Sequence, residues 1–171
     1  MANLLQQLKN KQPTYYKNYK LVDCDELIPK SWLDNIEFVN KQVLCKCGAS
    51  EFFLYVTYEV SDEINKKELP LAPIYLKCSK CQSKNLFFNP QLHGWDAELF
   101  ESASRIGNSK PILFFQDTGK IIISYSYQNF SENYLDLISE GFNHPENCFD
   151  TFCLCILLNK KLRDVISYEC A

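Results

Sequence analysis

Several things are missing from this 171-residue chain, and each absence removes a class of function. No run of about 18 or more apolar residues occurs, so no stretch reads as a membrane-spanning helix. The start, Met1-Ala2-Asn3-Leu4-Leu5-Gln6, lacks the charged n-region and long apolar h-region of a signal peptide. No P-loop, dinucleotide-binding glycine fingerprint, H-E-x-x-H or G-x-S-x-G pattern is present, which leaves no catalytic constellation to build on. Arginine, the side chain best suited to reading bases, occurs only as Arg105 and Arg163. There is no internal repeat and no Gly-rich or Ser-rich linker, so one compact body is expected.

Cysteine, in contrast, is plentiful. Nine cysteines would suggest disulfides in a secreted chain, but the odd count and the missing signal segment point to a reducing, cytoplasmic setting. Four of them form two close pairs, Cys45-Lys46-Cys47-Gly48 and Cys78-Ser79-Lys80-Cys81, each where a strand-like apolar run meets a turn. Two short turns that each point two soft sulfurs at one ion are what a tetrahedral Zn²⁺ requires. Cys45, Cys47, Cys78 and Cys81 are therefore the expected ligands of one structural zinc. A rubredoxin-like iron site satisfies the same thiolate count and stays open. The first pair is C-x-C, not C-x-x-C, which demands a tighter turn, and Gly48 can supply the backbone freedom for it.

Between the pairs, Phe52-Phe53-Leu54-Tyr55-Val56-Thr57-Tyr58 opens a strand over 52–60, apolar on one face and rich in tyrosine and threonine on the other. Strands are also expected at 42–45, 73–77 and 85–89, with a polar hairpin tip at 61–69. The block from Val43 to Pro90 resembles zinc-ribbon modules, a resemblance that covers a little over a quarter of the chain. Such modules serve in transcription factors, ribosomal proteins, enzymes and docking proteins, so the likeness implies a fold element and a metal, not an activity.

Ahead of the ribbon, Asn3 to Lys11 reads as a short amphipathic helix and the rest of residues 1–20 as a basic arm. A second helix is expected from Glu26 to Phe38, capped by Asp25. Together, residues 1–40 form a helical N-terminal arm, 41–91 the ribbon and 92–171 an α+β layer. In that layer, strands at 112–116 and 121–127 are expected to form a hairpin turning at Thr118-Gly119. Strands at 151–158 and 165–169 form another, turning over 159–163, and Ser131 caps a helix to Ile138 with Gly141 after its end. The fold class is α+β: a zinc ribbon of antiparallel strands joined to an antiparallel sheet with one or two packed helices.

Other residues with possible chemistry read more simply. His93-Gly94-Trp95-Asp96 suits a turn with Asp96 capping a helix; a zinc-ligand role for His93 is the alternative. Cys148, Cys153 and Cys155 could make a second thiol site with His144, but Cys153 and Cys155 alternate as small core residues of a strand do. Glu98 with Glu101, and Asp136 with Glu140, fit solvated helix faces.

Formal charge is −3, and four thiolates on one divalent ion add −2. Residues 1–90 carry 12 Lys or Arg against 10 Asp or Glu; residues 91–171 carry 6 against 11. An acidic second half with 10 Tyr, 12 Phe and 2 Trp in the chain predicts a non-catalytic binder of a partner protein, for which a basic toxin or enzyme has the complementary charge. In this composition the chain is similar to the immunity proteins that neutralise bacterial toxins. The competing expectation is nucleic acid, through Lys9, Lys11, Lys17 and Lys20 with Tyr15, Tyr16 and Tyr19 of the arm, or Lys46, Lys77, Lys80 and Lys84 of the ribbon.

Overall fold

The computed structural model describes residues 2–25, 38–57, 71–89, 111–127, 139–141, 143–147 and 151–169. A short helix, α1 (Ala2–Asn10), and a 3₁₀ turn (Thr14–Tyr16) precede nine strands: β1 (Tyr19–Asp23), β2 (Phe38–Cys45), β3 (Glu51–Thr57), β4 (Leu71–Cys78), β5 (Lys84–Phe88), β6 (Ile112–Leu113), β7 (Gly119–Ser126), β8 (Thr151–Leu158) and β9 (Lys161–Glu169). All pair antiparallel in one sheet that curls into a half-barrel, which makes the chain sheet-rich α+β. The expected ribbon strands are thus not a separate sheet; they continue into the rest.

The spine is β7. Its residues Ile121, Ile122, Ile123, Ser124, Tyr125 and Ser126 are all buried, so both faces are covered, as the apolar run Ile121-Ile122-Ile123 requires. One edge pairs with β8 along its length, Lys120↔Leu157 to Ser126↔Thr151. The other edge is shared: β2 takes the C-terminal part, Phe38↔Ser126 to Gln42↔Ile122, and β3 takes the start, Glu51↔Lys120 and Phe52↔Gly119. The core lies on the face holding Ile121, Ile123 and Tyr125 of β7, Phe152, Leu154 and Ile156 of β8, and Phe52, Leu54 and Val56 of β3. Phe88 of β5 stacks on Phe152 at 4.5 Å between centroids.

Three expectations change. The basic arm leads directly into β1, paired Tyr19↔Cys45 to Asp23↔Lys41, and Gln12 fastens it: its amide donates to the Tyr16 and Tyr19 carbonyls (2.8 and 3.0 Å) and accepts from the Leu21 amide (2.9 Å). Tyr16 and Tyr19 are buried and pack on Phe87, so neither ring is available to stack on a base. Strand β2 begins four residues before the expected Gln42, and Phe38, expected to end a helix, starts it. The polar residues Asn40 and Lys41 hide that start; in the fold Asn40 hydrogen-bonds Ser124, and Lys41 reaches Asp23 at 2.5 Å across β1–β2.

The third change is topological. Strands β6 and β7 do not fold into a hairpin. Both lie along one edge of β3 in the same direction, Val56↔Ile112 and Tyr55↔Leu113, then Phe52↔Gly119; the Phe114 amide still donates to the Leu54 carbonyl (2.8 Å), and 115–118 bulge between. Gly119 is not a left-handed turn residue. A Cβ there would lie 2.6 Å from Ile156 Cγ1 and 2.8 Å from the Leu157 carbonyl oxygen, so the residue is glycine because β8 passes too close for any side chain. The tight turn is instead at Asn159-Lys160, narrower than the expected 159–163: both have positive φ (48° and 64°), and Leu158 pairs directly with Lys161.

Other expectations agree. Alpha helix α1 falls within a residue of 3–11 at each end, β8 matches 151–158, and Gly141 has the positive φ (84°) expected of a helix-ending glycine. The helices expected at 26–38 and 131–138, the tip at 61–69 and the turn at 93–96 lie wholly or largely outside the described residues. Among the described residues no helix is long and apolar enough to cross a membrane.

Two substitutions test these assignments by chemical denaturation. Gly119→Ala should cost about 1–3 kcal/mol by overpacking against Ile156. Lys160→Gly should raise stability by up to about 1 kcal/mol, because it relieves a lysine held in the left-handed region.

Candidate metal centre

Backbone pairing brings the two cysteine pairs together. Phe52↔Cys78 aligns the start of β3 with the end of β4, so the loop entering β3 and the loop leaving β4 sit side by side. The Ser79 amide donates to the Glu51 carbonyl (3.1 Å) and ties one loop to the other.

Each loop is a closed knuckle. In the first, the Cys45 amide donates to the Ala49 carbonyl and the Gly48 amide to the Cys45 carbonyl, both at 2.8 Å. Gly48 has φ of +86°, and a Cβ there would meet nothing within 4 Å. The glycine is needed for its backbone angle and not for space, which is how a C-x-C pair closes so tightly. In the second knuckle the Cys78 amide donates to the Ser83 carbonyl (2.9 Å) and the Gln82 amide to the Cys78 carbonyl (3.1 Å). Gln82 there adopts φ of 61°, and its side-chain amide donates to the Ser79 carbonyl at 2.7 Å.

The result is a four-sulfur cluster. Cys45 Sγ lies 3.6 Å from Cys81 Sγ, and Cys47 Sγ 3.6 Å from Cys78 Sγ; all four lie within 4.8 Å of one another. A tetrahedron with metal–sulfur bonds of about 2.3 Å has edges of about 3.8 Å, so the observed spacing fits one ion. This arrangement can hold a metal and is consistent with a zinc-ribbon-like module. Cys45 and Cys78 are buried, Cys47 and Cys81 exposed.

The thiols are not equivalent. Burial pushes the Cys45 thiol up to about 12. The Ala49 backbone holds Cys47 below its ordinary value, and the Ser83 side chain and backbone lower Cys81 to about 6, with Ser83 Oγ 3.0 Å from the sulfur. Each knuckle therefore supplies one buried sulfur and one exposed sulfur that ionises readily.

Two participants escaped the sequence reading. Tyr19 sits beside Cys45 in register, packs edge-on to Phe52 and Phe87, and donates to the Asn85 carbonyl at 3.1 Å. Its hydroxyl is pushed well above its ordinary value by burial, then by Cys45 and Cys78, so it stays neutral beside the thiolates. The alternation of Tyr19-Lys20-Leu21-Val22 was a strand signal; Ser83 carried no signal.

Of the remaining candidates, those among the described residues do not join this cluster. Cys153 and Cys155 are buried in β8, and Cys155 Sγ donates to Asp164 Oδ1 (3.1 Å). Burial and Asp164 push the Cys155 thiol up, as for an inert core residue. His144 Nδ1 lies 3.2 Å from Glu146 Oε1. His93, Cys148, Glu98, Glu101 and Asp136 lie outside the described residues.

After chelator treatment, alkylation followed by peptide mass spectrometry should label Cys47 and Cys81 first, Cys45 later, and Cys153 and Cys155 only on unfolding. Equal labelling of all these thiols in the folded protein would contradict the described environments.

Comparison with protein-family models, with curated proteins and with solved structures gives no match to this chain, so its zinc-ribbon likeness stands on residues 43–90 alone.

Proposed function

We propose that this is a non-catalytic binding protein whose sheet is pinned by one structural Zn²⁺ on Cys45, Cys47, Cys78 and Cys81. The observation that carries the reading is the set of four sulfurs within 4.8 Å of one another, on two hydrogen-bonded knuckles. An all-thiolate, tetrahedral donor set suits zinc, the commonest metal for a closed structural site of this kind. Four protein ligands fill the coordination shell, which leaves no position for the water that a catalytic zinc activates. The metal's work is then mechanical: it joins β2, β3 and β4 where β2 leaves the shared edge of β7 and β3 takes it up.

A protein partner of basic toxin or enzyme type rests on the acid excess of residues 91–171. Six of those eleven acids, Asp96, Glu98, Glu101, Glu132, Asp136 and Asp150, lie outside the described residues. Among the described ones five acids face four bases, so no acidic surface supports that partner directly. The surface that does carry a charge preference is on the ribbon, and it favours an anion.

Native mass spectrometry of the full chain should show one zinc per chain. Cys78→Ser should lose that zinc and melt lower, because binding and folding of such a site are linked. Unchanged zinc content and unchanged melting would remove Cys78 from the ligand set.

A further inference from the structure

The face of β3, β4 and β5 turned away from the core has an unusual composition for an acidic protein. Alternation puts Phe52, Leu54 and Val56 of β3 and Ile74, Leu76 and Cys78 of β4 inside. Phe53, Tyr55, Tyr75 and Lys77 then share the outer face, all half-buried and none of them part of a core cluster. Register sets Phe53 opposite Lys77, Tyr55 opposite Tyr75, and Lys77 opposite Lys84 of β5.

Two lysines facing each other across a strand pair repel, so pairing between them does not explain the placement. Among the described residues neither Lys77 nor Lys84 is in an ion pair, and Glu51 is the only acid described between 38 and 89. Lys84 instead leans over the Tyr55 ring, with Nζ 3.7 Å from its centroid and 5.7 Å from that of Tyr75. The knuckles add Lys46 and Lys80, both exposed, whose charges offset the −2 of a zinc tetrathiolate. Lys77 and Lys84 are left as surplus cations beside three flat rings.

We propose that this face binds single-stranded nucleic acid, bases stacking on Tyr55, Tyr75 and Phe53 while Lys77 and Lys84 neutralise the adjoining phosphates. The inference rests on the reading of this protein as a zinc-pinned binding module and names the partner of its ribbon. Charge complementarity selects an anion, and the rings select among anions: an acidic peptide would use the lysines and leave the aromatics idle. A single strand, unlike a duplex, can present unstacked bases to the rings. The lysine resting on Tyr55 is no obstacle, since stacking of a base is worth more than an exposed cation–π contact, and the displaced ammonium is then free to meet a phosphate.

The test uses the zinc-loaded full chain and fluorescence anisotropy with labelled oligo-dT and oligo-U. Binding is expected to weaken with salt, with a log–log slope near −1.4, about −0.7 for each of two phosphates. Tyr55→Ala and Tyr75→Ala should each weaken it about tenfold, whereas Tyr55→Phe and Tyr75→Phe, which keep the ring, should not. Lys77→Glu with Lys84→Glu should abolish it, and Lys11→Glu with Lys17→Glu should leave it unchanged. Zinc content and melting are read on every sample. No binding up to about 100 µM, the weak limit of non-specific association, by a chain that carries its zinc would overturn this proposal and leave the metal reading intact. Binding that ignores the rings, or that polyglutamate displaces as readily as an unlabelled oligonucleotide, would overturn it in favour of an acidic protein. A chain without zinc would overturn the underlying reading instead.

Discussion

The sharing of one edge of β7 between two strands is the constraint on which the rest of the structure depends. Strand β2 occupies that edge up to Gln42↔Ile122, and β3 resumes it at Glu51↔Lys120. Between these points the chain must leave the sheet and return, and the excursion is the first cysteine knuckle. Beyond its shared pairs, β3 departs with β4 and β5, while β2 departs with β1. The sheet splits at the place where the four sulfurs gather. Backbone hydrogen bonds thus create both the gap and the ligand geometry, and a metal bound there would bridge the two arms.

The chemistry of the cluster follows from that position. One sulfur of each knuckle ends a core-facing strand position and is desolvated; the other sits on the exposed turn among backbone and hydroxyl donors. Burial makes the Cys45 thiol resist ionisation, whereas the hydrogen bonds at Cys47 and Cys81 favour it. Tyr19 closes the inner side as a neutral aromatic wall, hydrogen-bonded to Asn85 and supported by Phe52 and Phe87. The N-terminal segment, by supplying Tyr19, is part of the wall around the cysteines and not a free arm.

How much could be read in advance differs by element. The cysteine pairs were legible because ligand spacing is local, and Gly48 was legible because a C-x-C turn restricts the backbone. The alternating face of β3 and the continuous apolar run of β8 were legible from side-chain period and branching. Strand β1 offered only the brief alternation Tyr19-Lys20-Leu21, and the start of β2 was not legible, because Asn40 and Lys41 interrupt its apolar pattern while their partners, Ser124 and Asp23, lie elsewhere in the chain. Thr118-Gly119 looked like a turn because glycine has two uses, backbone freedom and lack of a Cβ, and only the neighbouring strand shows which applies.

By itself, then, the sequence determined the local terms: which cysteines are spaced as a ligand set, which segments extend, and which face of β3 is apolar. Those follow from spacing, β-branching and period, properties of residues close together in the chain. Only the tertiary structure decided that Tyr16 and Tyr19 are core residues and that β6 and β7 form one interrupted edge. It also decided that Lys77 and Lys84 face each other beside half-buried tyrosine rings. Each of these depends on which strands become neighbours, and that choice is made by the summed burial and pairing of segments far apart in sequence, which no local pattern encodes.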